Sequence, residues 1–204
     1  MNDNIQFLHA LIRNPLKVGA VAPSSPALAR QMMTGVHPDE NNIVIELGVG
    51  TGAITKLIRS SLPNGKSYLG IELDGRLAAS VRSRFPDLNI VCGSAADASQ
   101  IYRDSGLGKV SYVLCGLPFV TLPEVVATDI LLEVEKFMAE GCMFRTFQYA
   151  HGYYMPAAIR LRKFMRDRYG FSKRSRLVTR NVPPAYTLTW TTLSSRQTSK
   201  SKLT

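Results

Sequence analysis

Apolar positions recur along this chain at two periods, and the periods alternate. Residues 43–47, 67–73, 88–92, 110–115 and 142–149 are short, nearly continuous apolar runs rich in β-branched and aromatic residues. Such runs, bounded by Gly, Pro, Asn or Asp, are the pattern of buried strands. Between them the apolar residues return at helical spacing, as in Ile54, Leu57 and Ile58, which places them on one helix face. The intervening helices are predicted at 51–61, 74–84, 97–103, 123–138 and 154–169. Strict alternation of this kind predicts a parallel, doubly wound α/β sheet. Residues 171–180 and 185–192 break the rhythm. Both are β-rich, only Asn181-Val182-Pro183-Pro184 separates them, and no helix fits between, so they are expected to pair as antiparallel edge strands.

Two helices precede the sheet. Ile5, Leu8, Leu11 and Ile12 form an apolar stripe over residues 3–13, with Phe7 on its flank, and Arg13-Asn14-Pro15 ends it. A loop of small residues follows. Ser25 then reads as an N-cap and Pro26 as the first position of a helix through about residue 33. Residues 1–35 are therefore expected as an N-terminal helical segment, 36–193 as the α/β domain and the polar stretch 194–204 as a disordered tail.

Composition limits the possibilities. The chain has 204 residues, 45% of them hydrophobic, enough for one domain with a sizeable core. No apolar run reaches the ~18 residues of a transmembrane helix. Asp3 and Asn4 stand ahead of the first apolar positions, which does not suit a secretory signal. Cys92, Cys115 and Cys142 lie in strand-like runs without C-x-x-C spacing, and are expected as buried free thiols in a reducing cytoplasm. The histidines His9, His37 and His151 are scattered, so no metal site is expected. Net charge is +10, and the excess is concentrated. Arg160, Arg162, Lys163, Arg166, Arg168, Lys173, Arg174, Arg176 and Arg180 share their stretch with a single acid, Asp167. A face this basic predicts a polyanionic partner, either nucleic acid or an anionic membrane.

The candidate chemistry sits at the strand ends, where ligands bind in open parallel sheets. Ile45-Glu46-Leu47-Gly48-Val49-Gly50-Thr51-Gly52 reads as a strand, a tight turn and a helix N-terminus. Glycines let a ligand approach the backbone, and the helix start offers free N–H groups. The spacing is G-x-G-x-G, not the G-x-G-x-x-G of dinucleotide sites. Glu46 beside the turn suits a ligand with an ammonium group better than a pyrophosphate. Glu72 lies 20 residues after Gly52, at the second strand end, where a carboxylate can accept from ribose hydroxyls. These features select S-adenosylmethionine as cofactor. Ser94 and Ala95 are placed at the edge of its adenine, with Ile71 or Leu73 on the face. Asp97 either accepts from the adenine amine or caps a helix.

Cys115-Gly116-Leu117-Pro118-Phe119 ends the fourth strand, beside the expected sulfonium. Amino methyltransferases carry an Asn/Asp-Pro-Pro-aromatic motif here that binds the planar amine of a base. Gly116 occupies the Asn/Asp position and has no side chain to hydrogen-bond a nucleobase. Leu117, Pro118 and Phe119 offer an apolar wall suited to a small, flexible amine. Tyr149, at the fifth strand end, is the candidate to hold or deprotonate that amine, with Tyr153 a candidate substrate contact. His151 and Tyr154 are weaker candidates.

Arg13-Asn14-Pro15, Val18-Gly19-Ala20-Val21-Ala22-Pro23-Ser24-Ser25, the turn from Glu46 to Gly52, Gly116-Leu117-Pro118-Phe119 with Leu122-Pro123, Phe147-Gln148-Tyr149 and Arg180-Asn181-Val182-Pro183-Pro184-Ala185 together resemble the bacterial phospholipid N-methyltransferases. That family is related to the rRNA adenine dimethyltransferases. The resemblance spans about residues 5–192. Val49 stands where proline is commoner in the family, and Ser94 where many relatives carry Asp. The resemblance implies a class I S-adenosylmethionine-dependent, Rossmann-like fold of seven mostly parallel strands with an antiparallel C-terminal pair. It also implies Ser24 and Ser25 near the cofactor. The implied activity is stepwise methylation of phosphatidylethanolamine, through mono- and dimethyl forms, to phosphatidylcholine, releasing S-adenosylhomocysteine. The partner would be the anionic inner face of the cytoplasmic membrane, met peripherally by the helix at 3–13, which would also lid the cofactor. RNA adenine methylation is the competing reading. Gly116 and the lack of an appended RNA-binding domain count against it. A small-molecule methyltransferase would leave the charge unexplained.

Overall fold

The computed structural model describes residues 24–192. The helix expected at 3–13, the loop up to residue 23 and the tail at 194–204 lie outside the described residues. Helix α1 (Pro26–Met33) opens the described chain. The Ser25 hydroxyl accepts from the Leu28 N–H at 3.2 Å, and Pro26 takes the first turn, where its missing N–H costs nothing. There follow β1 (Asn42–Leu47), α2 (Ala53–Ser61), β2 (Tyr68–Glu72), α3 (Gly75–Arg84), β3 (Asn89–Cys92), α4 (Ala98–Ser105), β4 (Lys109–Cys115), α5 (Glu124–Ala139), β5 (Met143–Tyr149), α6 (Pro156–Tyr169), β6 (Lys173–Arg174) and β7 (Ala185–Thr191).

The sheet has seven strands in the order β3-β2-β1-β4-β5-β7-β6. The first five are parallel, and β7 runs antiparallel to both β5 and β6. Alternate residues of each strand face opposite layers. Ile43, Ile45 and Leu47 of β1 pack with the layer of α4, α5 and α6. Val44 packs with the layer of α1, α2 and α3. Because both faces are covered, the parallel strands read as unbroken apolar runs.

The expected C-terminal edge pair needs correction. β7 is an inner strand, with Tyr149 opposite Ala185 and Met143 opposite Thr191 on β5. Only the two-residue β6 forms the edge. Lys173, Arg174 and Arg176 are exposed there, and a short cationic edge resists pairing with further strands. Beyond β6 the contact narrows to one bridge, Val178 to Ala185.

Arg145 fixes α1 against the sheet. It is buried in β5, yet its guanidinium donates to the carbonyls of Met32 at 2.6 Å and Thr34 at 2.7 Å, and to Thr189 Oγ1 at 2.8 Å. These are orphan carbonyls at the C-terminal end of α1. Burial pulls the Arg145 pKa down to about 10, which leaves it a cation at neutral pH. Of the cysteines, Cys115 and Cys142 are buried as expected, but Cys92 is exposed at the end of the outer strand β3.

Candidate active site

The three glycines of the β1–α2 turn have φ of +76° (Gly48), +56° (Gly50) and +77° (Gly52), a region that side-chain-bearing residues rarely adopt. Gly48 donates to the Ile71 carbonyl at 2.9 Å, and Gly116 donates to the Leu47 carbonyl at 2.8 Å. The turn is thus held between the ends of β2 and β4. A Cβ at Gly50 would meet nothing within 4 Å, so space lies open above the turn. Gly52 starts α2 without a side-chain cap, which leaves the helix N-terminus as a donor surface. Gly116 is a different case. A Cβ there would stand 2.8 Å from the Gly48 carbonyl oxygen, so any side chain, including Asn or Asp, would push the turn out of place.

Two carboxylates support this turn in different ways. Glu72 is 4% exposed. One oxygen accepts the Gly50 N–H at 2.7 Å and the other accepts the Asp74 N–H at 2.9 Å. Each oxygen keeps acceptor capacity for a ligand hydroxyl. Glu46 departs from expectation. It is fully buried among β1, α2 and β2, where Oε2 accepts from Tyr68 Oη at 2.6 Å and Thr55 Oγ1 at 2.8 Å. Its Oε1 has no protein partner. Burial raises its pKa to about 7. The strand alternation explains the departure: Glu46 follows Val44 onto the α2 face, so it braces the turn from inside rather than standing in the open as a counter-ion.

Ser25 spends its hydroxyl on the α1 cap, and its N–H donates to Asn181 Oδ1 at 2.8 Å. Asn181 is buried, and its amide donates in turn to the Pro183 carbonyl at 2.7 Å. Ala150 donates to the Pro184 carbonyl at 2.8 Å. The 181–184 loop therefore ties Ser24 and Ser25, at the start of α1, to the end of β5 beside Tyr149. Asn181 was legible only as part of a strand separator. Ser94 Oγ accepts from the Ala96 N–H at 3.1 Å and caps the short turn Ala95–Asp97. Asp97 is exposed and makes no capping bond at α4, so its carboxylate is not used as the cap that was the alternative. Leu73 is partly buried against the core, and Ala95 is buried.

Tyr149 is 8% exposed, between Phe147 edge-on at 5.4 Å and His151 stacked at 5.7 Å. Its hydroxyl has no protein partner. Burial pushes its pKa up to about 12, so at neutral pH it is a phenol that donates or accepts a hydrogen bond, not a phenolate base. The apolar wall at the β4 end splits. Leu117 lies against Gly48 and Pro118 is half-buried, but Phe119 is buried in the core. Tyr153 is held by packing, with the Arg162 guanidinium 3.9 Å from its ring and Tyr186 edge-on at 5.4 Å. Arg162 also donates to Gln148 Oε1 and to the Tyr153 carbonyl, so it turns inward and leaves the basic face. Arg160, Lys163 and Arg168 pair with Glu124, Asp167 and Glu135.

No protein-family model matches the chain. It is 29% identical over 147 residues to an ornithine lipid N-methyltransferase of Singulisphaera acidiphila, covering 71% of this chain and 77% of that protein. It is 39% identical over 135 residues to a ribosomal RNA small subunit methyltransferase A of Chlorobium limicola, covering 65% of this chain but only 47% of that protein. The magnesium protoporphyrin IX methyltransferase of Synechocystis, solved with S-adenosylmethionine bound, superposes with a TM-score of 0.57 at 12% identity, covering 94% of this chain and 85% of that one. The protein is a methyltransferase of the class I, S-adenosylmethionine-dependent fold.

The residues of the methyltransferase fit this cofactor. Gly50 leaves room over the turn, the α2 N-terminus offers donors, and Glu72 presents a carboxylate already fixed by two backbone bonds. When bound, the cofactor supplies an electrophilic methyl group on a sulfonium. Among the described residues no group of three or more His, Cys, Asp or Glu is arranged to hold a metal ion.

Proposed function

We propose that this methyltransferase methylates the primary amine of a membrane-lipid headgroup. Phosphatidylethanolamine and its mono- and dimethyl forms are the proposed acceptors, and the reading rests chiefly on Gly116. Its Cβ position is blocked by the Gly48 carbonyl oxygen at 2.8 Å, so the side-chain amide or carboxylate that would grip a nucleobase amine is sterically barred. The Singulisphaera relative acts, by its name, on the amine of a lipid, which makes an ornithine lipid the alternative acceptor of the same chemistry.

Transfer is an in-line displacement in which the N–C bond forms as the S–C bond breaks, so alignment and exclusion of water are the main tasks. The amine must arrive neutral, although a primary alkylamine titrates near lysine, around 10. Desolvation between Leu117, Pro118 and Tyr149 favours loss of that proton. The unpartnered Tyr149 hydroxyl accepts from the amine and aims its lone pair. Each transfer moves the positive charge from sulfur to nitrogen, and the methylated ammonium sheds one of its own N–H protons to solvent before the next transfer.

The rim supports a membrane-facing orientation. Tyr154 (80% exposed), Met155 and Val182 (76%) lie on the loops at the same end of the sheet as Tyr149 and Ala185. Arg180, two residues before Val182, and Arg176, earlier in the same loop, are exposed and have no carboxylate partner among the described residues. Among the described residues no helix is long and apolar enough to cross a membrane. The test incubates the purified chain with cofactor and phosphatidylethanolamine vesicles and reads the lipid by mass spectrometry. Stepwise addition of methyl groups to the headgroup is expected. Unmodified lipid, alongside methylated RNA in a parallel reaction that offers total RNA, would overturn the reading. Removal of residues 1–13 is expected to abolish vesicle sedimentation of the protein while the domain stays folded.

A further inference from the structure

A cleft of about 290 Å³ runs between α5 and α6, and it begins at the acceptor loop. Leu117 of that loop lies against Gly48 in the cofactor turn, and Phe119, two residues on, lines the cleft. One short loop thus has the methyl-donor side on one flank and the cleft on the other. The cleft floor is apolar: Phe119, Leu131, Leu161 and Phe164. Its lip is charged, with Arg160 and Lys163 of α6 facing Glu124 of α5 and Asp167.

We propose that this cleft holds a segment of hydrocarbon chain of the lipid acceptor, with Arg160 and Lys163 meeting the anionic group of its headgroup. The assignment rests on the lipid-amine reading above and extends it to the chain. Phe119, Leu131 and Leu161 at the base are nearly buried, and the partly exposed apolar surface of the cleft comes from Ala127, Ala157 and Phe164. That surface gains from covering by hydrocarbon, and the volume lies at the small end of the ~300–1,000 Å³ of ligand pockets. It suits part of one chain, not a whole lipid. The Arg160–Glu124 pair bridges the mouth at 3.3 Å with both side chains about half exposed. Exposed pairs of this kind are weakly held, so Arg160 is able to exchange Glu124 for a phosphate. The cations then place the headgroup at the lip, and Leu117 and Pro118 lead from the lip to the turn.

The test compares the wild-type chain with Ala127→Trp, which fills the cleft from α5, and with Thr128→Trp, an exposed lining position that serves if the first variant fails to fold. Two acceptors are used: long-chain phosphatidylethanolamine in mixed micelles and a short-chain, monomeric phosphatidylethanolamine. The variants are expected to raise KM for the long-chain lipid about tenfold and to leave kcat/KM for the short-chain lipid within about twofold. A second readout needs no cofactor: displacement of a fluorescent fatty acid by lysophosphatidylethanolamine is expected to weaken by a similar factor. Equal effects on both acceptors, the outcome if a segment of this chain fills the cleft, would overturn the assignment, as would no effect on either. Wild-type protein inactive on both acceptors, and on ornithine lipid offered in the same assay, would instead refute the lipid-amine reading itself.

Discussion

Glu72→Gln is the sharpest perturbation of the cofactor turn. The carboxylate accepts one backbone N–H on each oxygen, from Gly50 at 2.7 Å and from Asp74 at 2.9 Å, while only 4% exposed. Glutamine has one accepting oxygen, so one of these N–H groups is left facing an amide donor. Hydrogen bonds to a charged group contribute about 1.5–3 kcal/mol, and a buried donor left unmade costs about 1–3 kcal/mol. The two overlap, which gives a loss of roughly 2–3 kcal/mol. For a domain of this size about 1 kcal/mol moves the melting temperature by ~2–4 °C, so a fall of roughly 4–12 °C is expected. If the same carboxylate also accepts the cofactor's hydroxyls, binding weakens by a similar free energy, roughly 30- to 150-fold. Thermal melting and calorimetric titration with S-adenosylhomocysteine measure the two effects. Asp74→Ala is the control: it removes the α3 cap, costs about 1 kcal/mol, and is expected to leave affinity largely intact. A Glu72→Gln variant that melts lower but binds within about threefold of wild type would refute the cofactor role, and an unchanged melting temperature would refute the hydrogen-bond geometry.

Three further outcomes follow from the site. Gly116→Ala presses a Cβ to 2.8 Å from the Gly48 oxygen; overpacking of this sort costs about 1–3 kcal/mol, and weakened S-adenosylhomocysteine binding is expected, so normal binding and melting would contradict the close approach. Glu46 titrates near 7 in the fold, against 4.5 for an ordinary glutamate. The folded state holds the extra proton, so this stabilisation is complete below about 4.5 and is lost as pH rises through about 7. Glu46→Gln escapes that loss, and its urea stability relative to wild type is expected to rise by on the order of 2–3 kcal/mol from about pH 5 to pH 8; parallel pH profiles would rule this out. Tyr149→Phe deletes a hydroxyl without a protein partner, so stability is expected to hold while kcat/KM drops about tenfold, the worth of one hydrogen bond of ~1.4 kcal/mol in the transition state. Unchanged kinetics would remove Tyr149 from the mechanism.

What was legible in the sequence was local. The glycine turn, Glu72 and the alternating elements depend on spacing within one strand-turn-helix unit, and the described elements through α6, together with β7, match their expected bounds to within a couple of residues, whereas the strand expected at 171–180 shrinks to Lys173–Arg174. What was not legible depends on which face a residue takes and on partners far along the chain. Glu46 reads as an open carboxylate until strand alternation directs it to Thr55 and Tyr68. Phe119 reads as a wall of the acceptor site, but its ring turns into the core at the base of the cleft between α5 and α6. Ser25 and Asn181 are 156 positions apart, and nothing near either residue announces the bond. The basic stretch looked unopposed because Glu124 and Glu135 lie on α5, before it in the chain. Pairing lowers the charge left for a partner; most of it lies on β6 and the loop after it, and a further positive charge stays on α6, where Lys163 and Arg166 share Asp167.

The central claim is that the acceptor is a lipid amine and not a nucleobase. It is tested most directly by offering both at once: purified protein, cofactor labelled in its methyl group, phosphatidylethanolamine and ornithine-lipid vesicles in parallel reactions, and total RNA in each. Label in the organic phase, on the headgroup nitrogen, with RNA at background is the expected result. Label confined to RNA would contradict it.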